Sequence, residues 1–107
     1  MRVRVVNNHK FIVRDGNQIG YLQLVKDTKL SIPELEYLVD EYYEGQGIMS
    51  VELPKYLQEL KAKGITRLIA NVKNHNVASI KLLKKYGTKI SSIGDVDVYV
   101  VLYNLIK

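Results

Sequence analysis

Two glycines one residue apart stand in Tyr42-Tyr43-Glu44-Gly45-Gln46-Gly47-Ile48-Met49, just ahead of a segment with helical spacing. Glycine lets backbone N–H groups crowd together, and a helix start carries donors with no partner of their own. Together they make a concavity suited to phosphate oxygens. A plain strand-to-helix turn is the other reading, and a G-x-G alone does not separate the two. The stretch is not a Walker sequence, since no Gly-Lys-Ser/Thr follows, and it lacks the third glycine of the dinucleotide fingerprint.

Two further groups can move protons. In IPELEYLV, Glu34 and Glu36 share one face of an extended segment, about 7 Å apart by strand geometry. Like-charge proximity and partial burial raise a carboxyl toward the range useful in a general base. A merely solvated face is the alternative. Asn76 precedes VASIKLLKKY as a helix cap, and Ser79 falls in the first turn, on the face of Leu82, Leu83 and Tyr86. A hydroxyl on an apolar face needs a partner or a cavity to line. There are no cysteines, which removes thiol catalysis, disulfides and cysteine-held zinc, and fits a reducing, cytoplasmic setting. His9 and His75 lie far apart in sequence, so no metal is expected.

The elements that must hold these groups follow from periodicity. Strands are expected at Val3–Val6, Phe11–Val13 (after an NNHK turn), Ile19–Val25 (closed by KDTK) and Ile32–Val39. Asp15-Gly16 is a hairpin signal. From Gly47 to Lys63 the set Met49, Leu53, Tyr56, Leu57 and Leu60 gives one helical stripe ended by Gly64, with a kink or distorted first turn expected at Pro54. Arg67–Val72 reads as a buried strand, and the Asn76-capped helix follows, with Gly87 as its C′ residue. Strands near Lys89–Ile93 and Val96–Leu105 close the chain. The order is β-β-β-β-α-β-α-β-β in one α/β domain over residues 1–107, and no apolar run is long enough to span a membrane.

Sixteen basic against eleven acidic residues give +5, a balance that favours anionic partners. Nucleic acid ranks last among them, because the lysines are spread from Lys10 to Lys89 with acids between.

The run E-L-E-Y-L-V-D-E-Y-Y-E-G-Q-G-I-M-S-V-E-L, with N-V-A-S-I-K-L-L-K-K-Y-G after it, resembles the GNAT superfamily of N-acetyltransferases, in particular its RimJ/RimL-like branch. The resemblance covers roughly residues 9 to 103. It implies a mixed, mostly antiparallel sheet with two main helices, and acetyl-coenzyme A as cosubstrate. It places the pyrophosphate on the backbone amides of Gln46, Gly47, Ile48 and Met49, with Gly45 and Gly47 allowing its approach. It puts the pantetheine arm along the main chain of Leu38 and Val39, and Asn76 beside the thioester. Glu34 matches the family's strand glutamate that serves as base, and Ser79 the serine that protonates the leaving thiolate. Amine acetylation needs a neutral nucleophile and a way to reprotonate sulfur, and these two residues are of the right types.

Four departures stand out. Glu44 occupies a position where Arg or Gln is common, Met49 replaces a small residue, and Leu83 replaces a tyrosine acid. The helices usual before the second strand are missing. The expected function is acetyl transfer to a primary amine (a protein N-terminus, a lysine or a small amine). The alternative is an inactive coenzyme A-binding or protein-interaction module. A homo-oligomer is a further expectation, since VDVYVVLYNLIK alternates poorly and a second subunit would make up for the missing helices.

Overall fold

Asp15 and Gly16 both take positive φ, 52° and 78°, the backbone of a two-residue hairpin turn. They join β1 (Arg4–Arg14) to β2 (Asn17–Asp27) in a long antiparallel ladder. The computed structural model describes residues 4–27 and 32–102. Val3, the end of the KDTK segment and the last strand beyond Leu102 therefore lie outside the described residues.

The expected turn at NNHK is instead a bulge inside β1. Asn8 adopts φ 52° and the register slips between Asn7 and Lys10, so two short strands become one. The extra residue leaves the Asn8 carbonyl off the ladder, where the Tyr56 hydroxyl donates to it at 2.6 Å. β3 (Glu34–Val39) follows, then a 3-10 turn at Glu41–Tyr43, α1 (Ile48–Ala62), β4 (Arg67–Lys73), α2 (Val77–Lys84), β5 (Gly87–Ile93) and β6 (Val96–Leu102). The sheet order is β1-β2-β3-β4-β6-β5, antiparallel except between β3 and β4.

Alternation sorts the side chains onto two faces. Leu22, Leu24, Leu35, Leu68, Ala70, Tyr99 and Val101 point one way. They form a single core with Leu53, Tyr56, Leu57 and Leu60 of α1 and Leu82 and Leu83 of α2. Both helices therefore cover the same face, as expected when two right-handed crossovers advance in one direction. The opposite face, which carries Phe11, Tyr21, Gln23, Glu34, Glu36 and Leu38, has no helix over it among the described residues.

α1 ends as its sequence requires. Gly64 takes φ 84°, and Ile65 and Gly64 donate to the carbonyls of Leu60 and Lys61 at 3.1 and 3.0 Å, a Schellman stop. The helix runs unbroken over Pro54, which sits in its interior, so the proline leaves the Ser50 carbonyl without its usual donor. α2 stops earlier than its stripe suggests, at Lys84. Gly87 is not its C′ residue. It opens β5, where a Cβ would stand 2.6 Å from the Val100 carbonyl oxygen, and this close approach of two backbones is what requires glycine there.

Candidate active site

β3 and β4 are paired at one register position only, Glu34 with Ile69, supported by the Ile69 N–H donating to the Pro33 carbonyl at 3.0 Å. Beyond it the strands part. The edge of Tyr37, Leu38 and Val39 that faces β4 is left without a strand partner, while its other edge is held by β2. On that side a Cβ on Gly20 would meet the Leu38 carbonyl oxygen at 2.3 Å, so β2 and β3 can close up only because residue 20 is glycine.

The gap opens into a cleft of about 500 Å³ on the helix-covered face. One wall is Tyr37–Val39. The floor is the loop into α1, with Gly45 and Gly47 at φ 81° and 71°. Gly47 is the N-cap of α1 and offers no side chain to the first-turn amides, which leaves the donors of Ile48, Met49 and Ser50 facing the cleft. Asn76, Ala78, Ser79 and Leu82 of α2 form the far wall. Asn76 caps α2 by accepting from the Ser79 N–H at 3.2 Å. An unpaired strand edge beside an uncapped helix start offers hydrogen bonds to an extended amide-bearing chain and a positive dipole end to an anion.

Inside the cleft the Ser79 and Tyr37 hydroxyls lie 2.5 Å apart. Burial pushes the Tyr37 phenol up, and the bond to Ser79 pulls it partly back. Tyr37 is a site residue that the sequence does not single out. Its alternation with Leu35 and Val39 is that of a packing residue, and only the placing of α2 beside β3 brings it to Ser79.

Glu34 stands apart from this group, on the uncovered face. Its carboxylate accepts from the Asn71 side chain across the β3–β4 junction. Glu36, next on the same face, is ion-paired with Arg4 at 2.5 Å and accepts from Gln23 at 2.9 Å. Burial raises the Glu34 carboxyl above its ordinary value. The neighbouring Glu36 raises it further, while the Asn71 bond and the Arg4 charge act the other way.

A sequence model of the acetyltransferase (GNAT) domain matches residues 3–89. This chain belongs to the GNAT acetyltransferase family. No curated protein sequence matches it. Solved structures do. An IAA acetyltransferase from Bacillus cereus is 19% identical with a TM-score of 0.74, over 88% of this chain and 76% of that one. RimL, a ribosomal L7/L12 alpha-N-protein acetyltransferase in complex with coenzyme A, is 21% identical with a TM-score of 0.75, over 88% and 60%. The PaiA N-acetyltransferase of Thermoplasma acidophilum, also with coenzyme A, is 18% identical with a TM-score of 0.74, over 92% and 61%. This GNAT chain thus spans about three fifths of the length of RimL and PaiA.

Of the positions singled out from sequence, Leu38, Val39, Gly45, Gly47, Ile48, Met49, Asn76 and Ser79 gather around the one cleft. Gln46 is exposed beside it. Glu44 lines it, bringing a carboxylate close to the helix start. Tyr42 is 82% exposed, and Tyr43 packs on the core while lining the cleft.

Proposed function

We propose that this GNAT chain binds acetyl-coenzyme A in the β3–β4 cleft and transfers its acetyl group directly to a primary amine. The observation that carries this is the unpaired β3 edge running straight to the uncapped start of α1. The amides of Gln46, Gly47, Ile48 and Met49 hold the pyrophosphate. Leu38 and Val39 bond the pantetheine arm as a strand would, and Asn76 stands near the thioester. The residues present fit such a ligand in shape and hydrogen bonding, and the positive helix start fits its charge, while Glu44 is the one acidic side chain lining the cleft among the described residues.

The amine reaches the gap from the uncovered face. Glu34 takes the ammonium proton. The freed nitrogen attacks the thioester carbonyl, forming the amide C–N bond and shedding its second proton to water. As the C–S bond breaks, its electron pair stays on sulfur, and a proton from the Ser79 hydroxyl completes the thiol. The acceptor is read as a protein N-terminus, a lysine or a small amine, and the first of these is the kind that the name of RimL, an alpha-N-protein acetyltransferase, carries. A homo-oligomer is part of the same reading, with a second subunit lying over the uncovered face beside Glu34.

Calorimetry with acetyl-coenzyme A tests the site. Gly47→Asp places a carboxylate where the pyrophosphate must lie and forces an aspartate into positive φ. Binding should be lost in the folded variant, and unchanged affinity refutes the assignment. Binding by the wild type with no transfer to any amine favours the inactive module. The buried Leu83, where a tyrosine acid is common, is the observation on that side.

A further inference from the structure

The Ser79 hydroxyl by itself is a poor acid, and its ionised form is a far less stable product than a phenolate. The structure places a phenol against it. Tyr37 reaches from β3 to Ser79 on α2 with the two oxygens 2.5 Å apart, and both side chains line the cleft. Two hydroxyls bring two protons. One is used in the bond between them, so one O–H remains to point into the cleft, and among the described residues neither hydroxyl has another side-chain partner.

We propose that Tyr37 and Ser79 act as one acid, with Ser79 donating to the departing sulfur and Tyr37 refilling Ser79. This rests on the reading of Ser79 given above and makes Tyr37 a positioning and proton-supplying residue. The steps balance. The C–S electron pair goes to sulfur, the Ser79 proton follows it, the Tyr37 proton crosses the hydrogen bond to Ser79 Oγ, 2.5 Å from the phenol oxygen, and the phenolate is reprotonated from solvent. The second nitrogen proton, shed as the amide forms, balances the one solvent returns to Tyr37, so the net proton released is the one Glu34 removed from the ammonium. Tyr37 thereby stands in, from the opposite wall, for the tyrosine replaced by Leu83, whose side chain is buried in the core. The half-buried position of Tyr37 suits the task, because a phenol shielded from water keeps its proton until the thiolate forms.

The experiment is a double-mutant cycle on acetyl transfer to a panel of amines and peptides, with coenzyme affinity followed by calorimetry. Tyr37→Phe keeps the ring and its packing. It should lower kcat by about 10²-fold or more at unchanged coenzyme affinity, as loss of a positioned acid does. Ser79→Ala should cost as much, Ser79→Thr should recover most of it, and the double variant should be no worse than the poorer single one. A second readout needs no turnover. The Tyr37 ring-carbon resonance, assigned by its absence in Tyr37→Phe, should titrate higher in Ser79→Ala than in the wild type, because the lowering bond is gone. Full activity in Tyr37→Phe with a crippled Ser79→Ala overturns the pairing alone. Full activity in Ser79→Ala overturns the reading of Ser79 as acid, and the pairing with it. A Tyr37 titration indifferent to Ser79→Ala also refutes the pairing.

Discussion

Glu34 and Glu36 show how one charge sets the working range of another. A base must be ionised to accept a proton, so protonating Glu34 switches it off, and turnover should rise with pH through the Glu34 titration. That titration lies above the ordinary carboxyl range, first because of burial and then because Glu36 is close. Glu36→Gln removes the like charge, so the acidic limb of the kcat profile should move to lower pH. Arg4→Met removes a charge that favours the ionised form, so the same limb should move to higher pH. Opposite displacements in two folded variants are the expected result, measured over a full pH series. Two identical profiles would mean that Glu34 is not the group seen. At this scale the sequence speaks most clearly at Ser79, a hydroxyl on an apolar face that calls for a partner and has one in Tyr37, whereas Asn76 is explained by its cap and Glu34 equally by a solvated face. Tyr37 was not legible because an aromatic in an alternating apolar row is indistinguishable from a packing residue. Its partner lies 42 positions away, and no local pattern records such a contact.

Elements were read best where the chain punctuates itself. Asp15-Gly16 and Gly64 carry the positive φ values that their turns demand, and Asn76 accepts the first-turn N–H of α2. The NNHK segment misled because Asn, a residue of turns, serves equally in a bulge. The ladder with β2 continues past it, and the Tyr56 hydroxyl takes up the freed carbonyl from another element. Gly87 misled in a similar way, since a glycine after a helix can answer to a neighbouring strand instead of the helix end. Pro54 is the point of local conflict in α1. Pro54→Ala restores a donor to the Ser50 carbonyl and removes the ring, and should raise stability by up to about 3 kcal/mol in urea unfolding. An unchanged midpoint would mean that the helix has already bent to accommodate the ring.

For the whole molecule, the fold class and the two-crossover order follow from the succession of periods, because parallel neighbours need a helix between them and its hand is fixed. The asymmetry of the sheet does not follow from any one segment. It leaves Phe11 and Leu38 55% and 54% exposed on the face away from the helices, with His9 against Phe11 at 4.4 Å and stacked on Tyr21 at 5.5 Å. If a second copy lies there, light scattering should return a dimer at micromolar concentration and a monomer for Phe11→Glu. A wild type that remains monomeric would refute that partner. The single register position between β3 and β4 also has a mechanical meaning. Three strands on one side and three on the other are riveted at Glu34 and Ile69 and strapped by α1. A ligand that bonds along β3 and grips the start of α1 then serves as a splint across a seam, and the stiffness of the sheet becomes a property of the loaded protein.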